Sequence, residues 1–92
     1  MLRAWDIAIA VGATSIMVLP ANTRRIGAIL VNDHASQTIY LKLGKNAAVN
    51  EGIRLNSGGA TYEIDLSNPW EGEVHAVASG AGTTLLITEV FA

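Results

Sequence analysis

Arg24-Arg25-Ile26-Gly27-Ala28-Ile29-Leu30-Val31-Asn32 is followed by Asp33-His34-Ala35-Ser36 and then by Thr38-Ile39-Tyr40-Leu41-Lys42-Leu43. The first run is apolar on both faces of an extended chain, which predicts a central strand covered on both sides. The four residues after it are turn formers. The last run alternates, with Ile39, Leu41 and Leu43 on one side and Thr38, Tyr40 and Lys42 on the other, the period of a half-buried strand. Together they predict a β-hairpin.

The same alternation extends outward from this pair. Toward the carboxyl end, Gly44-Lys45-Asn46 breaks the strand, Ala47-Ala48-Val49 is a short extended piece, and Ile53-Arg54-Leu55 alternates again. Asn56-Ser57-Gly58-Gly59 is the strongest turn signal, because glycine accepts positive φ without steric cost. Residues 61–66 place Tyr62, Ile64 and Leu66 inward, and Pro69 ends that run. Residues 72–78 and 83–91 read as two more strands around Ser79-Gly80-Ala81-Gly82, the last one apolar on both faces. Toward the amino end, Ile7, Ile9 and Val11 share one face of a strand, and Gly12-Ala13-Thr14-Ser15 turns into a second, closed by Pro20 and Asn22. No run carries convincing helical periodicity. About eight short, mostly antiparallel strands with turns between them predict an all-β protein, one jelly-roll-like β-sandwich domain over residues 1–92.

Composition narrows the partners. The chain has 92 residues, 50% of them apolar and 15% charged, with a net charge of −2. Disorder requires the opposite balance. The six Lys and Arg form no basic stripe, so nucleic acid is not an expected partner. Cysteine is absent, which excludes disulfides, thiolate zinc sites and a thiol nucleophile. The uncharged stretch from Ile7 to Thr23 is interrupted by Gly12-Ala13-Thr14-Ser15 and Pro20, so neither a membrane span nor a signal peptide is expected. A domain this small buries a modest fraction of its surface, and so much apolar content predicts a patch made for an interface.

Candidate chemistry is sparse. His75 and Glu73 share a strand face, but two ligands do not make a metal site, and neither a metal nor a cofactor is expected. Glu63 with Asp65, and Glu71 with Glu73, read as solvated carboxylates that discourage aggregation. No nucleophile elbow or phosphate-binding loop is present, so the reading is not that of an enzyme. A hydrolase built on Glu71, Glu73 and His75 would need all three around one cleft. Trp70 reads as a core or interface anchor, and Trp5 as an intersubunit anchor.

Taken in order, Arg24-Arg25-Ile26-x-Ala28-Ile29-Leu30-Val31-Asn32-Asp33, Ile39-Tyr40-Leu41-x-Leu43-Gly44, Ala47-Ala48-Val49-x-x-Gly52-Ile53-x-Leu55 and Gly58-Gly59-x-x-Tyr62-Glu63 resemble small β-rich structural proteins of tailed bacteriophages, in particular capsid decoration (cement) proteins. The resemblance runs over roughly residues 14–90 and carries no catalytic motif. It implies a virion protein made in the host cytoplasm, a symmetric oligomer (a homotrimer in the commonest form) on the outer surface of the assembled head, and the major capsid protein or another virion protein as partner. A variant of such proteins grips the shell with a flexible amino-terminal arm, whereas residues 1–23 here read as strand. The interface candidates are Leu2, Trp5, Ile7, Trp70 and Phe91, with Arg24 and Arg25 as ion-pair donors to an acidic partner. The alternative expectation is a carbohydrate-binding or host-adhesion module that stacks sugars on Trp70 and Tyr40 or Tyr62, beside Glu71 and Asp65.

Overall fold

Eight strands form where the alternating runs stand: β1 (Arg3–Val11), β2 (Ile16–Leu19), β3 (Arg25–Asn32), β4 (Ile39–Leu43), β5 (Ile53–Leu55), β6 (Thr61–Ile64), β7 (Val74–Ala78) and β8 (Thr83–Phe91). The computed structural model describes residues 1–92 and contains no helix. A long sheet has the order β1-β8-β3-β6 and a short sheet the order β2-β7-β4-β5. All pairings are antiparallel. β1 pairs with β8, β2 with β7, β3 with β6 and β4 with β5, the jelly-roll-like order of one long hairpin rolled upon itself.

The two sheets enclose one apolar core. Leu30, Leu85 and Ile87 from the long sheet meet Ile39, Leu41 and Val74 from the short one, each at most 2% exposed. Residues of alternate parity turn outward, so one face of each sheet is buried, as the period-two pattern requires.

Three expectations need correction. β3 and β4 are not a hairpin, because they lie in different sheets and only β4 and β5 are paired consecutive strands. The chain therefore changes sheet at nearly every turn, and turn-forming residues fit a sheet-crossing corner as well as a hairpin. β3 is interior to its sheet by pairing, yet its outward face is uncovered, with Ile29 44% exposed. β6 stops at Ile64. Asp65 then closes a tight turn by accepting hydrogen bonds from Ser67 and Asn68, which leaves Leu66 at the tip, 83% exposed instead of inward.

Asn32, fully buried, stitches the corners at one end of the sandwich. Its side-chain amide donates to the carbonyls of Gln37, Leu55 and Asn56, and its Oδ1 accepts from the His34 amide. Its backbone carbonyl accepts from Gly59. His34 Nδ1 accepts from the amides of Ser36 and Gln37, which puts the ring proton of neutral His34 on Nε2. A buried amide with all its partners defines the corner geometry, whereas carbonyls left without it would be desolvated and unpaired.

At the turn before β5, Gly52 has φ 79°, and a Cβ there would meet the Leu41 carbonyl oxygen at 2.3 Å. Gly52→Ala is expected to lower stability by about 1–3 kcal/mol, and Asn32→Ala by a similar amount. Urea denaturation of the two variants checks both values.

Candidate functional site

The two outward faces differ in what covers them. On the short sheet, Tyr40 and Val77 are register partners on the outward side, alongside Arg54, and both are nonetheless buried. Residues 44–50 lie over them. Ala47 N donates to Ser15 Oγ at 2.9 Å on one margin, and Tyr40 Oη donates to Asn50 Oδ1 at 3.1 Å. The Arg54 guanidinium stands 6.0 Å from the Tyr40 ring centroid. Tyr40 therefore has no free face for stacking, and Tyr62 belongs to the other sheet.

The long sheet has no such cover. Its outward rows run Ala4–Val90–Gly27, Asp6–Thr88–Ile29–Glu63, Ala8–Leu86–Val31–Thr61 and Ala10–Thr84. Small and apolar side chains dominate, and Ile29 and Leu86 are 44% and 38% exposed. Ala8 stands opposite Leu86, and that step in height coincides with the single hollow in the molecule. The hollow is open, about 330 Å³, and lined by Asp6, Ile7, Ala8, Leu86, Ile87 and Thr88. Thr88 Oγ1 donates to Asp6 Oδ1 at 2.5 Å on its rim. Around this hollow the face is weakly charged and carries mostly short side chains.

Arg25 is a correction. It was expected at the surface, but a β-bulge at Ile26 puts Arg25 opposite Phe91 and turns its side chain inward. There Nε donates to Glu89 Oε2 at 2.7 Å, Nη1 to the carbonyls of Trp70 and Gly72, and Nη2 to the carbonyl of Pro20. Arg25 and Glu89 are 6% and 4% exposed, and four hydrogen bonds hold the guanidinium inside the chain. Arg24 is exposed and forms no ion pair, so of the two adjacent arginines only Arg24 is open to solvent.

The remaining candidates divide. Leu2 and Trp5 are 63% and 45% exposed at the start of β1. Ile7 points inward and is half-buried against the core. Trp70 is half-buried, packs on the core and donates from Nε1 to the Glu73 carbonyl at 2.9 Å, so it acts as a structural bolt. Phe91 is half-buried at the end of β8. Glu73 Oε1 and His75 Nε2 meet at 2.9 Å, with His75 on the outward side of the short sheet, away from the hollow. No group of three or more His, Asp or Glu is placed to hold a metal ion. Ile29, Leu86 and Leu66 are exposed apolar residues that the sequence pattern had assigned to buried faces.

Comparison of the chain with protein families, with curated proteins and with solved structures returned no match.

Truncating either member of the buried pair leaves an uncompensated charge, so Arg25→Ala and Glu89→Ala are each expected to cost about 3–5 kcal/mol. Ile29→Lys with Leu86→Lys, on the uncovered face, is expected to stay within about 0.5 kcal/mol of the parent. Thermal and urea unfolding separate the two classes.

The acid limb is also defined. The His75 hydrogen bond, aided by the charge of Lys45 and opposed by burial, holds the Glu73 carboxyl below its ordinary value. Hydrogen bonds from Ser67 and Asn68 do the same for Asp65. Each folded pKa lies below the unfolded one, so this stabilisation is present above the ordinary carboxylate range and disappears as pH falls through the folded values. Glu73→Gln with Asp65→Asn is expected to flatten the loss of stability below about pH 4, read as urea midpoint against pH.

Proposed function

We propose that the protein is a structural component of a tailed-bacteriophage virion, a decoration protein that binds the outer surface of the assembled head as a symmetric oligomer. The observation that carries this reading is the asymmetry of the sandwich. On one outward face the chain's own loop covers the central Tyr40 and Val77 and leaves Met17 at the edge exposed, and the other face presents Ile29, Leu86, Val31 and a row of alanines to solvent. A monomeric domain gains nothing from leaving that face bare, whereas a protein that lies against a shell uses it. Jelly rolls occur in viral capsid proteins and also in lectins, so the fold is compatible with this role without dictating it.

The proposed mechanism is mass action. A protein that binds the assembled shell and not its free subunits stabilises the shell by RT ln(1 + [L]/Kd) for each site occupied, about 2.7 kcal/mol at a hundredfold excess over Kd. Grouping copies, three being the number that the phage resemblance implies, multiplies weak single contacts by effective concentration. Arg24, exposed and without an ion pair, is the one of the two adjacent arginines left to meet an acidic capsid residue.

The test is co-sedimentation with heads of the phage that encodes the chain. The parent protein is expected to pellet with assembled heads and to raise their disruption temperature, and Ile29→Asp with Leu86→Asp is expected to abolish both effects. Heads that neither bind the protein nor gain stability overturn the reading. Glycan-array binding that is lost in Trp70→Ala favours an adhesion module in its place.

A further inference from the structure

We propose that β1 is a self-complementary edge, along which two copies of the chain pair antiparallel about a two-fold axis through Ile7, so that the long sheet runs from one copy into the next. This contact is independent of the virion reading: it requires only a second copy, and a three-fold grouping would use another surface.

Sheet edges are the starting point. The four edge strands are β1, β6, β2 and β5, of nine, four, four and three residues. β1 pairs with β8 at all nine positions without a register shift, and its other edge has no partner. Along that edge alternate residues direct their N–H and C=O groups away from β8, over about 30 Å. Edges are normally guarded by proline, by charged side chains (lysine above all), by a bulge or by shortness. β2 has a bulge and β6 runs into the 65–68 turn, whereas β1, with the sequence RAWDIAIAV, has no proline, lysine or bulge, and its two charges, Arg3 and Asp6, are of opposite sign.

The side chains then choose both partner and register. A two-fold axis normal to the sheet keeps every residue on its own face, so residue numbers in opposed pairs sum to an even value. An axis through Asp6 would set two carboxylates directly opposite one another, which is repulsive. An axis through Trp5 would leave the second half of the strand unpaired. An axis through Ile7 pairs the whole strand: Arg3 with Val11, Ala4 with Ala10, Trp5 with Ile9 and Asp6 with Ala8 of the second copy. Each Asp6 then faces a methyl group. Trp5 lies on the inward side of β1 yet is 45% exposed, and in this register it covers Ile9 of the other copy, an aromatic-on-β-branched pair. The alanines at 4, 8 and 10 put no bulk in the path of the incoming strand. One strand edge buries less than the roughly 800 Å² per partner of a standard interface, so a micromolar equilibrium is expected in solution.

The chain has no cysteine, which makes site-specific disulfide trapping unambiguous. Opposed Cα atoms in an antiparallel pair are about 4.5–5.5 Å apart, within disulfide reach. Ala4→Cys and Ala10→Cys, both at exposed positions, are prepared separately, then oxidised alone and mixed. The mixture is expected to yield a disulfide-linked heterodimer and each variant alone little product. Ile7→Cys, on the axis, is expected to cross-link with itself. In a second series without cysteine, Ala8→Glu faces Asp6 of the other copy and is expected to raise the dimer dissociation constant about tenfold, and adding Asp6→Lys in the same chain is expected to restore it. The proposal is overturned by efficient self-linking of Ala4→Cys or Ala10→Cys, by no mixed product at millimolar protein, or by a dissociation constant indifferent to the charge changes. None of these results bears on head binding, and failure to bind heads leaves the cross-links unaffected.

Discussion

A buried arginine holds together the end of the sandwich at which separate stretches of chain converge. Arg25 reaches Glu89 of β8 and the carbonyls of Pro20, Trp70 and Gly72, so one planar group fixes the exit of β2, the entry to β7 and the end of β8. Five donors in a rigid fork suit this task, and a lysine with three donors on one atom would not span the same carbonyls. Asn22 adds to the same knot, donating from its side chain to Glu89 and from its backbone to Glu71. Removing charges from water is expensive, and the near-complete hydrogen bonding is what makes the burial tolerable. At the opposite end Asn32 performs the corresponding task with a neutral amide.

The strand content was legible because alternation is a local property. Ile39, Leu41 and Leu43 face inward as their spacing requires, and so do Val74, Ala76 and Ala78. What could not be read was the pairing. Asp33-His34-Ala35-Ser36 has turn chemistry, and nothing in four residues distinguishes a reversal within one sheet from a step into the other. Arg25 shows a second limit. Strict alternation from Ala28 would send it outward, and only the extra residue at Ile26 reverses its direction. The one mark of that bulge in the sequence is Gly27, an isolated glycine inside the strand pattern, which does not by itself say which neighbour the strand bends against.

The candidate surface was legible in part. Leu2 and Trp5, read from the sequence as interface candidates, are exposed at the start of β1. Ile29 and Leu86 were hidden by their own hydrophobicity, because an apolar run on both faces normally marks a strand covered on both faces. In this chain the second covering layer is missing from the molecule, and Ile29 and Leu86 stay partly exposed. The short sheet makes the contrast plain, since Tyr40 and Val77 on its outward side are covered by residues 44–50.

The topology has a consequence for biosynthesis. β8, the last strand in the chain, lies between β1 and β3, with Arg3 opposite Phe91 at one end of the first pairing and Arg25 opposite Phe91 in the second. Until residues 83–91 leave the ribosome, β1 has no native neighbour and the long sheet lacks its middle. Folding must therefore wait for translation to reach those residues, and pairing β1 with β8 closes a loop spanning most of the chain, the slow regime of nonlocal β structure. Nascent chains on one message would meanwhile hold bare first strands side by side, a setting in which assembly between copies competes with folding within one.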